Sequence, residues 1–66
     1  MQKEININGK TYEYVNNIIY KGKAYVAYMD DDNVYISEYV INDDKIIFKD
    51  ISKDIFDKIK DVMVLW

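Results

Sequence analysis

Apolar and polar residues alternate with a period of two along most of the chain, and turn residues interrupt this alternation at nearly regular intervals. Near the start, Ile5 and Ile7 alternate with asparagines and are followed by Asn8 and Gly9. Asn-Gly between two alternating segments is the strongest short signal for a two-residue β-hairpin turn. The pattern therefore predicts strands at about residues 3–8 and 10–15.

The middle of the chain continues this pattern. Gly22 interrupts an apolar segment, and the sequence leaves open whether it forms a tight turn or a bulge within one long strand. Polar turns are predicted at residues 30–33 and 42–44, where Asp and Asn cluster. The strand segments predicted around these turns are 18–21, 23–29, 34–41 and 45–49. Together they indicate a meander of short antiparallel strands.

The last part of the chain has a helical period instead. Ser52 is a good N-cap and Asp54 lies in the first turn, where an acid interacts favourably with the helix dipole. An amphipathic helix is predicted over about residues 53–64, and it must pack on the sheet to be stable. The expected fold is α+β, one domain over residues 1–66 with an antiparallel sheet of four or five strands and a C-terminal helix on one face. The helix residues expected in the core are Ile55, Phe56, Ile59, Val62 and Met63.

Composition excludes several classes of site. The 66 residues include no Cys and no His, so disulfides and the usual zinc, haem and iron–sulfur sites are ruled out. The only side-chain hydroxyls besides tyrosine are Thr11, Ser37 and Ser52, which have no His or Cys to activate them. We therefore expect no catalytic residues, no metal and no cofactor. No apolar run approaches the roughly 20 residues of a membrane span, and no secretory signal is visible, so we expect a cytoplasmic protein with no membrane association.

Charge is distributed unevenly. The net charge is −3, with +2 over residues 1–29 and −5 over residues 30–66, and every cation is Lys. This balance argues against nucleic-acid binding, for which Arg and a positive surface are typical. The acidic turn at residues 30–33 does not match the spacing of a calcium-binding EF-hand loop. The acidic half of the chain could instead mimic phosphates toward a basic protein, and this acidic surface comprises Asp30, Asp31, Asp32, Asp43 and Asp44.

Tyrosine is the most informative residue type. Tyr25, Tyr35 and Tyr39 occupy odd positions of two adjacent predicted strands, while the even positions are mainly apolar. One helix covers only one face of a sheet, so either the sheet curls and leaves tyrosines half-exposed, or the second face is buried against another protein. On the second interpretation these tyrosines bind a protein partner, which is either a second copy in a homodimer or another protein. Trp66, in a terminal apolar run, either closes the core edge or adds a contact.

Several segments, taken in order, are similar to those of a known family. They are the Gly9-Lys10 pair before an aromatic residue, Gly22-Lys-Ala-Tyr-Val26, Val34-Tyr-Ile-Ser-Glu-Tyr-Val40, and a short strand before an acidic helix start. Over about residues 9–63 the chain resembles the YrzB-like family of small bacterial proteins, a domain of unknown function. The resemblance implies an antiparallel sheet with a C-terminal helix, and it supplies no activity or ligand residue.

The sequence thus predicts a small non-enzymatic protein-interaction module that acts through a tyrosine-bearing sheet face. The alternative is an acidic inhibitor that binds a basic nucleic-acid-handling protein.

Overall fold

The fold is a five-stranded antiparallel sheet with one helix packed against it. A computed structural model describes residues 3–63, and the strands lie side by side in chain order. The elements are β1 (Glu4–Ile7), β2 (Lys10–Tyr20), β3 (Lys23–Asp30), β4 (Asn33–Asn42), β5 (Lys45–Lys49) and α1 (Lys53–Met63). The predicted α+β class, with a strand meander and a C-terminal helix, is confirmed.

Two-residue turns set the strand boundaries. Asn8 and Gly9 have φ angles of 54° and 87°, and Lys21 and Gly22 have φ angles of 52° and 79°. Two successive positive φ angles are typical of the hairpin turn whose twist matches that of the flanking strands. Gly22 therefore belongs to a tight turn, which resolves the alternative that the sequence left open.

The second strand is longer than predicted. The segments predicted at 10–15 and 18–21 form one continuous strand, Lys10–Tyr20, and the register against β3 shifts between Tyr14 and Asn16. This shift is a bulge at Val15, which accommodates one extra residue without ending the strand. Asn16 and Asn17 lie within this strand and pair with Ala27 and Val26 of β3.

The helix begins and packs as its sequence predicts, with one exception. Ser52 Oγ accepts a hydrogen bond from the backbone N–H of Ile55, which confirms the N-cap. Ile59 is completely buried and Met63 nearly so, with Ile55 and Phe56 half-buried beside them. Val62, however, is 42% exposed, so its assignment to the core is wrong. Val62 lies about 60° around the helix from Ile59, at the border of the apolar stripe, where the sheet does not cover it.

Both faces of the sheet carry a hydrophobic cluster. On the helix face, Ile59 and Met63 pack with Tyr25, Ala27 and Ile36. On the opposite face, the buried residues are Ile7, Val26 and Tyr28, and Phe48 packs against them. This second cluster combines residues of β1 and β5, which are the two edges of the sheet, with residues of the central strand. The sheet therefore curls away from the helix, and we call this opposite side the concave face.

Candidate functional site

The three tyrosines that the sequence singled out do not share a face. Tyr25 lies opposite Glu38 in the β3–β4 ladder and is 4% exposed within the helix-face cluster, whereas Tyr35 lies opposite Tyr28 on the concave face. Directly opposite residues of an antiparallel pair project from the same side. Because the turn pairs Asp30 with Asn33, odd positions of β3 share a side with even positions of β4. The prediction of one surface containing Tyr25, Tyr35 and Tyr39 is therefore wrong for Tyr25.

An apolar cavity of about 260 Å³ opens on the concave face. Ile5 of β1 and Phe48 of β5 lie at its two sides, because the curl of the sheet brings the edge strands toward each other. Among residues 3–63, the lining consists of Ile5, Tyr14, Asn17, Val26, Tyr39, Ile46 and Phe48. These residues include no acidic or basic side chain, so the cavity suits an apolar group with a few hydrogen-bonding partners.

Two hydrogen bonds link three side chains that line this cavity. The hydroxyl of Tyr14 donates to Asn17 Oδ1. Asn17 Nδ2 in turn donates to Tyr39 Oη over 3.4 Å. These contacts hold two phenol groups beside the apolar lining and leave polar atoms of the three side chains accessible to a ligand or partner.

Exposed isoleucines surround Tyr39. Ile19 is 74% exposed, Ile41 is 70% exposed and Ile46 is 55% exposed. Ile19, Ile41 and Tyr39 line a second open cavity of about 410 Å³, and Tyr39 and Ile46 line the first one. We call these four residues, Ile19, Tyr39, Ile41 and Ile46, the Tyr39 patch. A contiguous set of exposed large apolar side chains of this kind marks a contact surface more often than single exposed residues do.

Tyr35 belongs to a different part of the concave face. It stacks on Tyr28 with ring centroids 5.5 Å apart, and Tyr12 lies 4.8 Å from Tyr28 and 5.8 Å from Tyr35. The Tyr28 hydroxyl and Ser37 Oγ form a buried hydrogen bond of 2.7 Å. These contacts give Tyr35 a structural role, although it remains 38% exposed and available at its outer edge.

The five aspartates of the predicted acidic surface are not brought together. Asp30, Asp31 and Asp32 lie at the β3–β4 turn, whereas Asp43 and Asp44 lie at the β4–β5 turn. The ten-residue strand β4 lies between these turns, and a fully straight strand of this length would span about 30 Å at 3.3 Å per residue.

One of these acids is already paired. Asp30 Oδ2 lies 2.7 Å from Lys10 Nζ in a salt bridge. The hydrogen bond to Asp30 and the attraction of its charge raise the pKa of Lys10 above its ordinary value of 10.5. Lys10 is therefore protonated at neutral pH and offsets part of the charge at this turn.

A different group of acids shares one cavity. Glu4, Glu13, Asp30 and Asp31 line an open space of about 370 Å³, and Glu4 lies directly opposite Glu13 in the β1–β2 ladder. Neither glutamate was predicted to belong to an acidic surface, because both lie in the half of the chain with positive net charge. The signal was available, since the Asn8-Gly9 turn sets a register that pairs Glu4 with Glu13. No group of acids among residues 3–63 has the arrangement of a metal site.

The remaining candidate residues have structural positions or lie outside the described range. Ser37 is hydrogen-bonded to Tyr28, and Ser52 caps the helix. Trp66 lies outside the described residues, so its predicted contact stays a prediction. Within residues 3–63, no helix has the length and apolar character needed to cross a membrane.

Comparisons with protein-family models, curated proteins and solved structures returned no match. The resemblance to the YrzB-like family therefore stays a prediction.

Proposed function

We propose that this protein is an interaction module that binds an apolar segment of another protein through the Tyr39 patch and the adjoining cavity. The observation that supports this proposal is the exposure of three isoleucines around Tyr39, beside an apolar cavity of about 260 Å³. A domain of 66 residues buries little surface and needs its large apolar side chains to form the core. Their concentration on one exposed surface therefore favours a binding role.

The chemistry of the surface defines the kind of partner. The cavity lining has no charged side chain, and Lys23 and Glu38, of opposite sign, border the second cavity. A partner therefore gains little from net charge and much from an aliphatic or aromatic anchor that fills the cavity. Asn17 and the two phenol groups beside it offer hydrogen bonds to the backbone of such a segment.

The same features favour binding over catalysis. Acid–base catalysis requires a titratable group held near the reacting atoms with a suitable pKa. Among the described residues, the concave cavity has no carboxylate or amine in its lining, its two phenols are hydrogen-bonded to Asn17, and it opens widely to solvent.

The acidic-inhibitor alternative has weaker support. A phosphate mimic needs its carboxylates presented on one surface to a basic partner. The five candidate aspartates lie at opposite ends of β4, and Asp30 is paired with Lys10. Apolar exposure on the concave face is the more specific feature.

The test is a selection of binding peptides from a random displayed library on the immobilised protein. Ile46→Lys is the test variant, because Ile46 lines the cavity and belongs to the Tyr39 patch. Ile47→Lys is the matched control, since Ile47 is the next residue of the same strand, is 42% exposed and lies opposite Val40 on the helix face.

We expect enriched peptides to carry apolar anchors, to lose at least tenfold in affinity for the Ile46→Lys variant and to bind the Ile47→Lys variant like the wild type. Failure to enrich any peptide, or equal binding to both variants, would contradict the proposal.

A further inference from the structure

Among residues 3–63, the outer edge of β2 is open along its second half. β1 pairs with residues Lys10 to Glu13 of β2, and Lys3, just before β1, accepts a hydrogen bond of 2.8 Å from Tyr14 N through its backbone oxygen. From Asn16 to Tyr20, β2 pairs with β3 on one side, and no strand among residues 3–63 pairs with it on the other. This half-strand is an edge onto which another strand can add.

The hydrogen-bonding groups of this edge alternate in direction. The two-residue turn closes on the pair Tyr20–Lys23, so Tyr20 and Ile18 bond to β3, while Ile19 and Asn17 direct their N–H and C=O groups outward. The N–H of Asn17 accordingly bonds to the side-chain oxygen of its neighbour Asn16 at 2.9 Å rather than to a strand. Ile19, with its outward backbone, also has the most exposed large apolar side chain among those of residues 3–63.

The open half of this edge lacks two side-chain features by which proteins prevent strand addition. Natural edges are blunted by charged residues, especially Lys, by Pro or by bulges, and the bulge of this strand lies at Val15, before the open residues 16–20. Residues 15–20 are Val, Asn, Asn, Ile, Ile and Tyr, with neither charge nor proline. The outer strand β5, by contrast, carries Lys45 and Lys49 at its ends.

The distribution of charge also favours a second copy of this chain as the strand that adds to this edge. When two identical strands pair antiparallel about a two-fold axis, residues at equal distances on the two sides of the axis lie opposite each other. If β5 paired with itself over its full length, Lys45 would face Lys49 twice, and like charges directly opposite each other are destabilising. The uncharged β2 edge pairs with itself without any such opposition.

We propose that the protein forms a homodimer by antiparallel pairing of the two β2 edges, with Ile19 opposite Ile19 of the second copy. In this register the two outward-directed Ile19 residues exchange both backbone hydrogen bonds, and their exposed side chains contact each other on the concave face. Because the two-fold axis is perpendicular to the sheet, the helices lie on one side and both concave faces on the other.

The first test measures the molar mass by light scattering behind a sizing column over a wide concentration range. The wild type should reach twice 7.9 kDa as concentration rises. The chain is short enough for chemical synthesis, so the N–H of Ile19 can be replaced by N–CH₃ without changing the side chain. This N-methyl variant should keep its circular dichroism spectrum and weaken dimerisation at least tenfold, because the methyl group blocks only the outer edge.

The second test uses single cysteines, since the natural chain has none. Hydrogen-bonded antiparallel pairs have Cα atoms about 5.5 Å apart, a separation that a disulfide spans well. Oxidised Ile19→Cys protein should form a covalent dimer at concentrations where Ile41→Cys, a control with similar exposure at 70%, remains mostly monomeric.

The inference is overturned if the wild type stays monomeric at millimolar concentration. It is also overturned if a dimer forms that tolerates N-methylation of Ile19 or cross-links equally through both cysteines. The Ile46→Lys variant separates this result from the proposed function, because it should lose peptide binding and keep the β2 dimer.

Discussion

Ile59 tests how the helix and the sheet share one core. Its side chain is completely buried between α1 and the sheet, beside Tyr25, Ala27 and Ile36. Truncating a buried Ile to Ala costs about 2–5 kcal/mol, and the cost is highest where the surroundings cannot collapse into the cavity. Here the neighbours on the sheet are held by strand pairing, so we expect about 3.5–5 kcal/mol, in the upper half of that range.

That loss is large for this domain. At about 0.05–0.15 kcal/mol per residue, the free energy of unfolding of a 66-residue chain is about 3–10 kcal/mol. For this size, 1 kcal/mol corresponds to a change of about 4–8 °C in Tm, so the Ile59→Ala variant should melt about 15 °C or more below the wild type. The assay is thermal and urea unfolding followed by circular dichroism at low concentration, where association does not contribute.

Val62→Ala is the matched control on the same helix. Val62 is 42% exposed, and Ala has a higher helix propensity than Val, so this variant should stay within about 1 kcal/mol of the wild type. The packing argument would be refuted if Ile59→Ala melted within a few degrees of the wild type, or if both variants lost the same stability.

Three further changes probe the turns and polar contacts by urea unfolding. Gly22→Ala should cost about 1–2 kcal/mol because φ is 79°, although an added Cβ would meet no atom within 4 Å; unchanged stability would contradict the turn. Tyr28→Phe should cost about 1–3 kcal/mol because it leaves buried Ser37 without its partner, and adding Ser37→Ala should recover part of the loss. Lys10→Met should leave the neutral-pH midpoint nearly unchanged because its salt bridge is exposed. Since the pKa of Lys10 is raised, any contribution of the pair is present below pH 10.5 and lost above it, which a pH series of midpoints would check.

Patterns among residues that are close in sequence were sufficient to predict most of the fold. The Asn8-Gly9 turn, the N-cap at Ser52 and the period of the helix each depend on residues close in sequence, and the structure contains all three. The bulge at Val15 was not predicted, because a bulge is defined by the pairing register with a neighbouring strand.

The candidate site was harder to predict because it depends on which face each residue occupies. Tyr25 and Tyr39 have the same parity along the chain, but the turn between their strands places them on opposite sides of the sheet. Shifting a register by one residue reverses the face of every side chain, so composition along a single strand cannot decide which tyrosines are exposed. The isoleucines of the Tyr39 patch are exposed because the helix covers the other side of the sheet, which the pattern of a single strand does not specify.

The chain-order arrangement of the strands has a consequence for how the protein folds. Each strand pairs with the next one along the chain, and each of the first four connections is a two-residue turn. Closing such short loops costs little chain entropy, so successive hairpins can form one after another without waiting for distant segments to meet. We therefore expect folding to be fast for a mainly β domain, with docking of the helix and packing of β5 against β1 residues on the concave face as its principal long-range steps.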